Sequence, residues 1–259
     1  FSKGLSPSKT KMKILCLHGF RQSESAFRGQ TGGLRRVLKK NAEFDYVQAP
    51  FRVVSESVDL KAQEEQPSIP NTWTWWRSTT DGGSYSYQGW GDAMKVIQKK
   101  FEEKGGYDGV LGFSQGGALA SLVGVLAQDR ERYPWLSCLK LVVVFSGFVP
   151  RDPELSVLYS RKVHLPALLV MGSGDKLVTA DRTRELSHTF VNCTSVVHPG
   201  GHYMPTNAQF SAKYRSFFQA VRGQASQPAT LLSSFPASPA LHLSPHLSSS
   251  AADASPSSS

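Results

Sequence analysis

With 259 residues, 40% of them apolar, the chain can bury one large core, whereas two full domains would each be short of apolar material. No apolar run approaches the roughly 18 to 20 residues of a membrane span, and Phe1 to Thr10 lacks the charged-then-apolar order of a secretory leader. The chain therefore reads as soluble, with no integral membrane segment. Phe1 stands where an initiator Met would, which leaves upstream targeting sequence open. The net charge of +9 is dispersed over Lys9, Lys11, Lys13 and the pairs Arg35-Arg36, Lys39-Lys40 and Lys99-Lys100. No aromatic-interleaved basic stripe accompanies it, which argues against nucleic-acid binding. Cys16, Cys138 and Cys193 are odd in number and widely spaced, neither a disulfide framework nor a metal-ligand pattern. A reduced compartment, cytoplasmic or nuclear, is expected.

In chain order, the β-rich run Lys13 to Leu17 predicts a first strand, followed by the Gly-containing turn Leu17-His18-Gly19-Phe20-Arg21-Gln22. A helix over Gln22 to Lys40 and a strand over Phe44 to Gln48 come next. From Phe51 to Gly89 no periodicity is evident, although Trp73, Trp75, Trp76, Tyr85 and Tyr87 fall there among Gly, Ser and Thr. So long a connection is often functional, and two readings stand side by side: a lid or substrate-cleft wall, or aromatics packed onto the core as a satellite cluster. Helix Trp90 to Lys104, strand Gly109 to Phe113 and helix Gln115 to Gln128 follow. Strands Leu139 to Phe145 and Ala167 to Met171, helix Thr179 to Phe190, strand Ser195 to His198 and helix Thr206 to Val221 complete the domain. The alternation predicts an α/β fold, a mainly parallel central sheet with helices on both faces. Residues 1–10 read as an N-terminal extension, 11–222 as the domain with 51–89 as its insertion, and 223–259 as a disordered Ser/Pro-rich tail. His242 and His246 in that tail lack neighbouring ligands and read as incidental.

The strongest chemical signal is Gly112-Phe113-Ser114-Gln115-Gly116, directly after a strand and directly before a small-residue helix. That is the context of the G-x-S-x-G nucleophile elbow, where a sharp turn exposes the serine and glycines relieve the crowding on either side. A serine hydroxyl needs a base and a group that orients the base. Asp175 follows a strand through Gly172-Ser173-Gly174, as expected of the acid, with Asp181 the less favoured rival. His202, in Pro199-Gly200-Gly201-His202-Tyr203-Met204-Pro205, is the expected base, whereas His198 ends a strand and is followed by Pro199. Two amides are expected to hold the oxyanion, those of Gln115 and Phe20, with Arg21 as the alternative to the latter.

These four ordered motifs, together with Thr72-Trp73-Thr74-Trp75-Trp76, resemble the FSH family of serine hydrolases over about Lys11 to Val221. The resemblance implies the α/β-hydrolase fold, a Ser114-Asp175-His202 triad and a cofactor-free, metal-free carboxylesterase acting on small-molecule acyl esters through an acyl-enzyme. An aromatic wall of Trp73, Trp75 and Trp76 would bind substrate. An acyl-protein or acyl-CoA thioesterase is the alternative within the same chemistry, and a non-catalytic binding module on the same fold is the alternative from another class. The oligomeric state is not legible.

Overall fold

The computed structural model describes residues 10–54 and 68–224. Residues 1–9 of the expected 1–10 extension, residues 55–67 of the expected insertion, and most of the expected 223–259 tail, with it His242 and His246, lie outside the described residues. Chain order is β1 (Met12–Leu17), α1 (Glu24–Gln30), α2 (Gly32–Leu38), β2 (Ala42–Val47), β3 (Phe51–Val54), β4 (Ser68–Thr74), β5 (Arg77–Asp81), β6 (Ser84–Gln88), α3 (Trp90–Lys104), β7 (Gly109–Phe113) and α4 (Gln115–Leu126). There follow β8 (Leu141–Phe145), α5 (Pro153–Ser156), β9 (Ala167–Gly172), α6 (Ala180–Glu185), β10 (Cys193–His198) and α7 (Ala208–Gln224).

Six strands form one sheet in the order β10-β9-β8-β7-β1-β2, and every pairing in it is parallel. These are the six strands expected from the apolar runs. Side chains alternate across the pleat, so each central strand feeds two cores. Leu15, Leu17, Val110, Val142, Val144, Leu169 and Met171 face α3 and α4. Ile14, Cys16, Leu111, Phe113, Val143, Phe145, Leu168 and Val170 face the other side, where Phe27, Leu34 and Leu38 of α1 and α2 meet Phe210, Tyr214, Phe217 and Phe218 of α7. α4 is buried on every side, which its run of Gly, Ala and Ser permits because small residues let a helix lie close to the sheet. The architecture is the α/β-hydrolase fold.

Two expectations change. The single helix expected over Gln22 to Lys40 is two, broken at Thr31. The Thr31 hydroxyl turns back onto the Phe27 carbonyl at 2.9 Å and meets the Tyr46 hydroxyl at 2.5 Å, and Gly32 and Gly33 follow with poor helix propensity. The described part of the insertion is not irregular: β3 pairs antiparallel with β4, and β5 with β6. All five residues of β5 are exposed, so the apolar alternation that would mark a half-buried strand is missing from the sequence.

Candidate active site

Ser114 sits between β7 and α4 with φ 55° and ψ −119°, a conformation that costs a non-glycine residue on the order of 1–3 kcal/mol. Packing enforces it. The Ser114 amide donates to the Phe145 carbonyl of β8 at 2.9 Å, and the Ser114 carbonyl accepts from Ala118 at 3.0 Å. A Cβ on Gly112 would lie 1.9 Å from the Gly116 carbonyl oxygen, and one on Gly116 would lie 2.2 Å from that of Leu17 and 2.4 Å from that of His18. Only glycine allows the elbow to close on itself and the loop after β1 to press against it.

That loop is tied from three directions. His18 is fully buried, and its Nδ1 donates to the Gly19 carbonyl at 2.8 Å. Its Nε2 accepts from the Ala49 amide at 3.1 Å and from Gln48 Nε2 at 3.0 Å. Burial keeps the imidazole neutral, lowering its pKa from 6.5 to about 4. The Trp75 indole donates to the His18 carbonyl at 2.8 Å, and the Arg21 amide donates to the Trp73 carbonyl at 3.0 Å. The Arg21 amide, the alternative oxyanion donor, is thus engaged, whereas that of Phe20 has no hydrogen-bond partner among the described residues. The Gln115 amide opens α4, so no carbonyl of its own helix lies four residues behind it. The Gln115 side chain reaches the insertion, its Oε1 accepting from the Trp75 amide at 3.1 Å and its Nε2 donating to Thr74 Oγ1 at 2.9 Å.

Asp175 lies three residues past β9, its side chain fully buried. Oδ1 accepts from the amides of Leu177 and Val178, each at 2.9 Å, and Oδ2 accepts from His202 Nδ1 at 2.6 Å. Burial alone would push the carboxyl pKa up. The hydrogen bonds from His202, Val178 and Leu177 outweigh it and hold the group below its ordinary value. With Nδ1 occupied as a donor, the neutral imidazole presents Nε2 as its basic nitrogen. His202 is 16% exposed, and its ring centroid lies 4.7 Å from that of Phe113, the residue before Ser114. The serine hydroxyl makes no hydrogen bond among the described residues.

The rivals are accounted for by other contacts. Asp181 pairs with Arg184 on the exposed face of α6. His198 is buried against Tyr203 and Phe210, burial lowers its pKa, and neither ring nitrogen has a hydrogen-bond partner among the described residues. Its backbone carbonyl accepts from the Ser173 amide at 2.8 Å, which steadies the loop bearing Asp175. The aromatic wall needs correction. Trp75 is 0% and Trp76 3% exposed, both inside the core facing α4, so neither ring has surface to offer a substrate. Trp73 is half-buried with the Arg52 guanidinium 4.2 Å over its ring, and Phe20 is half-exposed. The sequence places His18 at the end of the first strand and Thr74 in the Trp-rich motif but not their contacts, because the partners lie far along the chain, Thr74 and Gln115 being 41 positions apart. Among the described residues, no group of three or more His, Cys, Asp or Glu side chains is placed to hold a metal ion.

Comparison with known proteins yields a family model described as "Serine hydrolase (FSH1)", which matches residues 7–214. The chain is 34% identical over 228 residues to an esterase of Anopheles gambiae, covering 84% of this chain and 81% of that protein. It is 30% identical over 220 residues to the esterase OVCA2 of Mus musculus, covering 81% and 96%. Among solved structures, Zea mays acyl-protein thioesterase 2 superposes with a TM-score of 0.58 at 21% identity, over 85% of this chain and 97% of that one, a likeness of fold.

Proposed function

The chain belongs to the FSH1 serine hydrolase family, and from that premise we propose that it is a carboxylesterase in which Ser114, His202 and Asp175 form the catalytic triad within a domain spanning residues 11–222. The observation that carries this reading is the 2.6 Å hydrogen bond from His202 Nδ1 to the buried Asp175, on the sheet edge where Ser114 is held strained. Ser114 Oγ attacks the carbonyl carbon of an acyl ester while His202 Nε2 takes its proton. The tetrahedral oxyanion is held by the amides of Phe20 and Gln115, and the positive end of α4 favours its charge. Collapse breaks the bond to the alcohol, which leaves with the proton from His202. Water, deprotonated by the same imidazole, then attacks the acyl-serine and releases the acid. Asp175 keeps the imidazole in the required tautomer throughout. Trp73 and Phe20 remain as the apolar groups that face an acyl chain, whereas Trp75 and Trp76 hold the loop behind them.

Turnover of matched esters and thioesters tests the reading. We expect hydrolysis of the ester with a rapid initial burst of alcohol, and a loss of at least about 1,000-fold in kcat for Ser114→Ala. Equal turnover by the folded variant would overturn the assignment, and a preference for the thioester would move the substrate class to acyl thioesters.

A further inference from the structure

Beyond the end of β8, three elements meet. β8 lies between β7, which leads to Ser114, and β9, which leads to Asp175, and all three strands are parallel. The loop after β8 therefore leaves the sheet on the edge that bears the candidate triad. Its Gly147 packs on the first turn of α4, with the Gly147 Cα 3.1 Å from where a Gly117 Cβ would stand. The Gly147 carbonyl accepts from Thr183 Oγ1 of α6 at 2.7 Å. The next residue, Phe148, carries the Arg182 guanidinium 4.3 Å from its ring centroid. Arg151 sits 5.2 Å over the ring of Tyr85 from β6 and donates to its hydroxyl at 2.9 Å.

Two guanidiniums are thus brought together on aromatic supports. Burial, and after it the charge of Arg151, holds the Arg182 pKa below its ordinary value. Among the described residues no carboxylate lies within ion-pair distance of either. The Asp152 carboxylate is spent on the amides of Tyr87 and Glu154, at 2.7 and 2.9 Å, and Glu185 acts on Arg182 only at longer range. Two cations on aromatic supports with no carboxylate partner among the described residues, Arg182 half-buried and Arg151 exposed, fit a site whose missing member is an anion, since a guanidinium fork matches two oxygens of one acidic group.

We propose that Arg151 and Arg182, backed by Phe148 and Tyr85, form a subsite for an anionic group of the substrate, a carboxylate or a phosphate monoester remote from the scissile carbonyl. The inference rests on the esterase reading and adds a substrate class to it. The test compares three 4-nitrophenyl esters of equal acyl length on the full chain, ending in a neutral methyl ester, a carboxylate or a phosphate. Wild type should favour at least one of the anionic esters by about tenfold or more in kcat/KM, and the two anionic arms show which oxyacid fits. In Arg151→Gln/Arg182→Gln the ratio of anionic to neutral should fall to near one, chiefly through KM. Equal rates on all three esters in wild type, or a ratio that survives in the folded double variant, would overturn the proposal. Should the variant not fold, the wild-type ratio decides, since it must shrink as ionic strength rises, and a salt-independent ratio counts against the subsite. If no ester turns over, the hydrolase reading fails separately. Calorimetric binding of hexyl phosphate and hexanoate to wild type then decides, with salt-sensitive binding supporting the subsite and none overturning it.

Discussion

The nucleophile elbow and the aromatic insertion meet at the same edge of the sheet, but they are held in different ways. The elbow is closed by backbone on backbone, with Gly112 against Gly116 and Gly116 against Leu17 and His18, so its shape depends on the absence of side chains. The insertion is held by side chains on its inner face. Trp75 reaches the His18 carbonyl, Gln115 reaches Trp75 and Thr74, and β5 on the outside is solvated along its whole length. A site assembled this way has a rigidly held candidate nucleophile and a proposed oxyanion loop clamped between two elements remote in sequence. The two halves should fail differently.

The largest contrast is between glycines. Gly116→Ala places a Cβ into backbone at 2.2 Å and should cost at least about 3 kcal/mol, read as a fall in the urea midpoint, or prevent folding. Gly83→Ala, in the β5–β6 turn at φ +84° with open space around it, should cost about 1 kcal/mol. Equal effects at the two positions would erase the distinction.

The next effect belongs to His18, which the insertion and the elbow share. Folded, it stays neutral down to about pH 4, while in the unfolded chain it titrates near 6.5. Below 6.5 the unfolded state therefore binds a proton that the folded state refuses. The contribution is fully present above that pH and is lost as pH falls toward 4. Between about pH 7.5 and about pH 5 this amounts to a loss of about 2 kcal/mol. Denaturation across that range should show a steeper acid decline in wild type than in His18→Gln, and parallel curves would remove the buried imidazole from the account.

Smallest is the clamp itself. Trp75→Phe keeps the aromatic volume but deletes the indole donor, leaving the buried His18 carbonyl without that bond. The expected cost is about 1 kcal/mol, with kcat falling by about tenfold as the loop loosens. Trp73→Phe should leave stability unchanged within about 0.5 kcal/mol. A Trp75 variant with native kcat would make the indole a packing group alone.

These differences also explain what the sequence disclosed. The six sheet strands were legible because each is a short run rich in apolar or β-branched residues, buried on both faces in β7, β8 and β9 and on one side in the edge strands β2 and β10. The elbow was legible because its glycines sit within five consecutive residues. Asp175 and His202, singled out from loop context, lie hydrogen-bonded to one another. The insertion was opaque. Its outer strand carries no apolar alternation, and the inward role of Trp75 depends on a partner 57 residues away that no local pattern names. The same distance effect hid His18, which pairs with Ala49 across 31 residues. The break at Thr31 was missed because it turns on a hydroxyl choosing Tyr46 and the Phe27 carbonyl over the helix.

The central claim is that Ser114 is the nucleophile on this edge. Treatment with a fluorophosphonate, followed by peptide mapping by mass spectrometry, tests it directly. A single adduct on the peptide carrying Ser114, absent in Ser114→Ala and strongly slowed in His202→Ala, is the predicted result. An adduct on another residue, or one that persists when Ser114 is replaced, would contradict it.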